Sequence, residues 1–453
     1  MSHARFTLRL AARWPAGALA LLAAAAGAAP ASAATWRLEP IPDSANIAAL
    51  HDLAFDAQGR GLLSWNGAQR EHDPPVFGGL ATREPGGGWQ RPTDLRGISP
   101  SAMQIHLSGA TSALLVAREA RSATSKRRLI TGEGQSDGGF DAFASLGDFA
   151  VDHWSDVNAR GDAIVAWTAE RAPFVRVAER RGAGRFEPLR ELAVGRTAAV
   201  AINARGDSAL VWRAGKRLAG RLRPSGAEWS RTVRFGSVGV IQGLRLSALV
   251  APDGRVVATW GSPGRPCGVA VRDARGRWRS RTLERRCGPS GVATRAAPVV
   301  PIADSRGATY VAWTGRTRTG RRAVKFARVE AGGAGVTGRV LVLSRERGAV
   351  LDGAAADARG ALAITYTAPR PTAARPLLFA TFAALRRGSG AFGRADRLTP
   401  ADVFAAQGSR VAFQPITGEP VVAVPFLVSR TVAVAAAVGP RSPSPSPSPS
   451  PSP

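Results

Sequence analysis

Few side chains in this 453-residue sequence could carry proton or nucleophile chemistry. The histidines are His3, His51, His72, His106 and His153, and the tyrosines are Tyr310 and Tyr366. His51-Asp52 and Asp152-His153 each set an imidazole beside a carboxylate, a combination able to move protons near neutral pH. No nucleophile elbow, phosphate-cradling glycine loop or zinc-ligand spacing accompanies them, so no catalytic residue, metal or cofactor is assigned. Arg160-Gly161-Asp162 and Arg205-Gly206-Asp207 spell an integrin-binding tripeptide, but both glycines belong to a recurring turn that accounts for them. The two cysteines, Cys267 and Cys287, stand twenty apart. In an oxidising compartment they read as one disulfide, and they are too few for a structural metal site.

The abundant chemistry is that of arginine. Lys+Arg number 61 against 33 Asp+Glu, a net charge of +28, and only Lys126, Lys216 and Lys325 are lysines. A planar guanidinium pairs bidentately with carboxylate, phosphate or sulfate. A basic excess therefore speaks of anionic partners and not of fold. The excess is local: residues 35–212 carry 20 basic and 21 acidic groups, residues 213–339 carry 26 and 6, and residues 340–453 carry 12 and 6. A uniform compositional bias toward arginine would raise every segment alike. The densest stretches hold Arg272, Arg275, Arg277, Arg279, Arg281, Arg285 and Arg286, then Arg316, Arg318, Arg321 and Arg322, and these are the candidate binding residues.

The ends are addresses or spacers. Arg5, Arg9 and Arg13 precede an Ala/Leu/Gly run over 16–29, and Ala31-Ser32-Ala33 supplies a cleavage pattern, so residues 1–33 read as a secretory signal. No later stretch is long enough to span a membrane. Residues 442–453 are six Ser-Pro pairs, and 441–453 reads as a low-complexity tail with extended polyproline character.

What must position any site is a repeat. A glycine is followed six residues later by an aromatic at Gly59…Trp65, Gly161…Trp167, Gly206…Trp212, Gly254…Trp260, Gly307…Trp313 and Gly360…Tyr366, with weaker copies at Gly109…Leu115 and Gly418…Val424. Asp or Asn stands three before the glycine at Asp56, Asn158, Asn203, Asp304 and Asp357. Such a side chain caps a tight turn, and glycine accepts the positive φ that closes it. Each copy has four short alternating or β-branched runs, the fourth opening on an aromatic such as Trp89, Phe140, Phe186, Trp229, Trp278 or Phe392. Four strands in about fifty residues define an all-β propeller over 34–440. Eight four-stranded blades are expected, with seven as the alternative. The eighth unit lacks a fourth strand, and residues 35–40 would supply it and close the ring.

The phrase Asn158-Ala-Arg-Gly161-Asp-Ala-Ile-Val-Ala-Trp167 and its copies resemble those of repeat β-propellers secreted by GC-rich bacteria, many of unassigned function. It is similar in kind to the sialidase Asp-box, with different spacing, and the WD and kelch signatures are missing. First strands line the channel of a propeller, so the residues eight before each turn glycine form a ring: His51, Ser101, His153, Ala198, Leu246, Val299, Asp352 and Arg410. Its polar members His51, His153, Asp352 and Arg410 make a channel arc, either a site or plain channel lining. The expected function is an exported, non-enzymatic binding or scaffold propeller, a monomer, engaging anionic polysaccharide or wall polymer, in preference to nucleic acid, through a basic sector in units four to six. The alternative is a glycan-cleaving, sialidase-like enzyme using the arc. That chemistry would need a Tyr–Glu pair; Tyr366 occupies a packing position, and Tyr310 has no evident acid nearby.

Overall fold

The computed structural model describes residues 36–440, apart from 43, 45, 46, 68–77, 91, 92, 96–102, 110, 111, 120–127, 149, 170–173, 188, 189, 239–242, 274, 289–298, 305, 331–335, 370–378, 389, 401–403, 406, 407, 429 and 430. The proposed signal and tail lie outside the described residues. Eight antiparallel sheets follow one another along the chain, seven of them four-stranded in simple sequential order. Blades 1 to 7 span 47–94, 103–148, 150–194, 196–237, 245–287, 299–342 and 350–397. Blade 8 takes its inner and middle strands from Arg410–Phe413, Pro420–Val428 and Thr431–Val438, with a short extra pairing from Phe404–Ala405. Its fourth strand is Arg37–Pro40, which runs antiparallel to Thr431–Val438 with Arg37 opposite Val438 and Pro40 opposite Ala435. The ring is thus an eight-bladed propeller closed by the N-terminal strand. Among the described residues there is no helix.

The turn phrase folds as its chemistry dictates. In blade 3, Gly161 sits at φ 83° and its N–H donates to the Asn158 carbonyl at 3.0 Å. The Asn158 Oδ1 accepts the N–H groups of Arg160 and Asp162 at 2.9 and 3.1 Å. Asp304 and Asp357 do the same in blades 6 and 7. The RGD-like triplets are these turns, with Asp162 accepting from Asn158 and Arg160.

The residue six after the turn glycine has one job. Trp65, Leu115, Trp167, Trp212, Trp260, Trp313, Tyr366 and Val424 all face the preceding blade, one in each of eight apolar clusters that fill the eight joints. Gly79 and Gly268 lie directly opposite Trp65 and Trp260 on the third strand, where a Cβ would stand 2.4 and 2.2 Å from indole carbons. The aromatics expected to open the fourth strands do so in blades 2 and 5, at Phe140 and Trp278. Trp89 and Phe392 stop one step earlier and form isolated bridges to Arg83 and Arg386, because their rings pack onto the joint and the outer strand starts beyond them.

At three joints a buried arginine also reaches a carboxylate of the neighbouring blade. Arg83 forks onto Glu39 of the closing strand at 3.0 and 3.2 Å, Arg180 reaches Glu133 at 2.6 Å, and Arg223 meets Glu179. Cys267 and Cys287 form a disulfide with Cα atoms 5.8 Å apart, within the geometry such a bond requires. Cys267 is the third residue of its strand and Cys287 the last of the next, so the bridge ties the outer strand of blade 5 to its neighbour. A disulfide of this kind belongs to an oxidising, extracellular type of compartment. Among the described residues no helix is long and apolar enough to cross a membrane.

Candidate functional site

An inner strand pairs on one edge only, so its open backbone edge faces the axis and its side chains alternate toward the two neighbouring blades. The channel ring must be corrected on this ground. His153 lies directly opposite Trp167 and points into the joint with blade 2, toward Val116 and Arg118. Ala198, Leu246 and Val299, at the same register, sit in the apolar joints, and Ser101 lies outside the described residues. His51 and Asp352 each fall at a β-bulge, between Leu50 and Asp52 and between Leu351 and Gly353, and a bulge re-aims the side chain. Asp352 consequently turns to blade 8, accepting from Thr367 Oγ1 and from Ser409 Oγ at 3.0 Å. Arg410 donates to the His51 and Leu50 carbonyls at 2.7 and 3.2 Å, covering the open edge of blade 1. Three of the four arc residues are therefore brought together, since Arg410 holds the His51 carbonyl and its charge also acts on Asp352, while His153 stands apart at the joint with blade 2.

Other side chains, off the register of the ring, complete this axial set. Asp52 accepts from the N–H of Leu53 at 3.0 Å and from Ile105 of blade 2 at 3.3 Å. Asp156 repeats the pattern with Val157 at 3.0 Å and Ile202 of blade 4 at 2.8 Å. Between blades 2 and 3, Ser155 donates to Gln104 at 2.9 Å while His106 Nε2 lies 2.8 Å from its Oγ. Burial dominates the protonation of all these groups. It pushes Asp52 up to about 6 against the pull of Arg410, and Asp156 to about 6 against its two backbone donors. Asp352 also rises to about 6 through burial, despite two hydroxyl donors. Burial, then Arg180, pushes His106 down to about 4; burial, then Arg118, pushes His153 down to about 3. What this set does is cap strand edges where blades meet. The signal in the sequence was a recurring inner-strand Asp, but bulges place it five, seven or eight residues before the glycine, so no fixed spacing reveals it.

The tyrosines need a correction too. Tyr310, expected to have no acid nearby, donates to Asp304 Oδ2 at 3.2 Å. Tyr366 donates to Glu346 at 2.8 Å, a Tyr–Glu pair, yet its ring is fully buried, and burial followed by Glu346 raises its pKa. A nucleophilic phenol needs the opposite shift and an open approach. The glycan-cleaving alternative therefore gains no support.

The basic residues gather on the flank of blades 5 and 6. Arg275 and Arg277 stand exposed at the hairpin before the outer strand Trp278–Cys287, with Arg277 paired to Asp273 at 3.1 Å. Arg279 and Arg281 are exposed along that strand, and Arg285 and Arg286 at its far end, where two bulges let adjacent residues both reach water. There the strand meets blade 6: Glu284 pairs with Lys325, and Gly288 N–H donates to the Thr314 carbonyl at 3.2 Å. The blade 6 hairpin adds exposed Arg316 and Arg318, while Arg272, Arg321 and Arg322 are half-buried. Arg316 donates to the Gly320 carbonyl at 2.7 Å and lies opposite Arg322 in the register.

No family matches the chain, and no curated relative does. Solved structures similar in fold include the Dos1 propeller, at 10% identity over 88% of this chain and 94% of that one, TM-score 0.46. A PL25 ulvan lyase bound to -[GlcA(1-4)Rha3S]- matches at 11% identity over 87% and 95%, TM-score 0.46. YCF48 bound to D1 peptide matches at 12% identity over 92% and 98%, TM-score 0.40. At such values these likenesses say nothing about function.

Proposed function

We propose that this protein is an exported binding or scaffold propeller that engages anionic polymers of the cell envelope or surroundings through the flank of blades 5 and 6. The observation that carries the reading is the row of exposed arginines along Trp278–Cys287, continued by the neighbouring hairpin of blade 6. Exposed like charges on one rigid edge set up a field that gathers polyanions before any shape match acts. Guanidinium forks then favour carboxylate, sulfate and phosphate oxygens. Such contacts are screened over about 8 Å at 0.15 M salt. Replacing Arg277, Arg279, Arg281, Arg285 and Arg286 with Gln should weaken binding of dextran sulfate and of polyphosphate, with the melting temperature unchanged. Binding by the parent should fall steeply as salt rises to physiological strength. Equal binding by parent and variant, or indifference to salt, would overturn the reading.

A further inference from the structure

The last position of the third strand is an arginine in several blades, and its surroundings differ at one joint. Arg83, Arg180, Arg223 and Arg386 are 3, 4, 8 and 9% exposed. The first three meet a carboxylate from the preceding blade: Glu39, Glu133 and Glu179. Arg272 of blade 5 holds the same register but is half-buried, with Asp273 beside it. Arg386 of blade 7 has no hydrogen-bond or ion-pair partner for its guanidinium among the described residues, and its Nε is fully enclosed. It lies over the Tyr310 ring, 4.6 Å from the centroid, with Phe326 and Phe392 at 5.9 and 6.0 Å. A buried cation with no counter-charge is costly.

The preceding blade explains the gap. In blade 3 the residue that serves Arg223 is Glu179, opposite Ile164, three after the turn glycine. In blade 6 the residue at that register, opposite Tyr310, is Arg328. Where one joint has an acid, this joint has a second arginine. It opens into a cleft of about 360 Å³ to which Arg255, Arg306, Arg359 and Tyr310 also contribute. Arg255 is bound to Asp253 at 2.5 Å and to the Gly307 carbonyl at 3.0 Å, and Arg359 to the Ile416 carbonyl at 3.1 Å. Arg306 and Arg328 have no ion-pair partner among the described residues. The lining carboxylate is Asp304, already occupied by two backbone N–H groups and the Tyr310 hydroxyl. The matching cleft between blades 2 and 3 also measures about 360 Å³, and there Glu133 and Arg180 neutralise each other.

We infer that the cleft between blades 6 and 7 is a binding site for a ligand carboxylate, which takes the place between Arg328 and Arg386 that a glutamate side chain takes at the other joints. The site stands apart from the basic flank, on the turn face of the ring, and does not depend on it. A small dicarboxylate reproduces the glutamate side chain, and an acidic oligosaccharide carries the same group on a polymer. The full chain is titrated with glutarate and, separately, with oligogalacturonate by calorimetry at low salt. A dissociation constant on the order of 1 mM or tighter is expected for at least one of them, and the two arms tell a free acid from a polymer-borne one.

The decisive variant is Arg328→Glu, at an exposed position where folding is not at risk. It installs, at the same register, the carboxylate that Glu179 offers to Arg223. The variant should melt higher than the parent and lose affinity for the carboxylate by at least about tenfold, while its dextran sulfate binding through the flank is retained. The five-fold flank variant should behave the opposite way. Carboxylate binding undiminished by Arg328→Glu, no rise in melting temperature, sulfate preferred to glutarate, or no binding by the parent in either arm would each overturn the assignment.

Discussion

Asp156 sits where two blades meet and uses both carboxylate oxygens to cap backbone N–H groups, one on its own strand and one on the next. Burial pushes its pKa from the ordinary carboxylate value up to about 6. The folded state thus holds its proton more tightly than the unfolded chain. The associated stability is fully present below the ordinary carboxylate pKa and is lost as pH rises through about 6. Asp156→Asn removes that term. The parent should gain melting temperature relative to this variant on going from pH 7 to pH 4.5; a difference that does not change with pH would refute the assignment. His106 and His153 work in the other direction, because their lowered values make their contribution fall away as pH drops below the ordinary imidazole pKa. Both proteins share that loss, so it cancels in the comparison. A second residue-scale test concerns Arg83. It is buried against Glu39 of the closing strand, and losing one partner of a buried pair typically costs about 3–5 kcal/mol. Arg83→Met should show a loss of that order in denaturant unfolding. Adding Glu39→Leu should restore part of it, and simple additivity of the two would mean that they are not coupled.

The strand pattern was legible element by element. Alternation, turn glycines and the aromatic at six residues are local signals, and the strands they implied in the described regions are present, although the outer strands of blades 1, 3, 4 and 7 begin beyond Trp89, Phe186, Trp229 and Phe392, the aromatics expected to open them. Bulges were not legible, because nothing in a short strand marks the one extra residue that Leu50–Asp52 or Leu351–Gly353 accommodates. His51 and Asp352 fall at those bulges, while His153 and Arg410 keep a regular pairing. The disulfide belongs to this scale. It closes a loop of 20 residues and pins the outer strand of blade 5, worth roughly 3 kcal/mol in the chain-entropy account. Replacing both cysteines with Ala should lower stability by about that amount. Reductant should shift the parent to match and leave the double variant unmoved; a parent insensitive to reductant would argue against a stabilising bridge.

Closure is a property of the whole ring. Arg37–Pro40 covers the edge of Thr431–Val438, and Arg83 then locks it to blade 1. Removing 35–40 should lower the melting temperature and expose an unpaired edge, so that light scattering reports self-association. A truncated chain that melted like the parent would mean the strand is dispensable. The uneven charge is likewise felt only at this scale, since blades adjacent in sequence are adjacent in space and their excess becomes one flank. The sequence alone determined the propeller, the turn chemistry, the large side chain filling each joint and the cysteine pair, and it favoured eight blades with the N-terminal strand as partner of the last. All of these follow from short-range spacing repeated often enough to be read. Only the tertiary structure decided which way the inner-strand side chains point, that Asp52 and Asp156 cap blade edges while Asp352 binds hydroxyls across a joint, and that Arg386 and Arg328 line one cleft where three other joints have a carboxylate. Those depend on bulges and on pairs some fifty residues apart, where a side chain's meaning is set by the blade beside it and not by its neighbours in the chain.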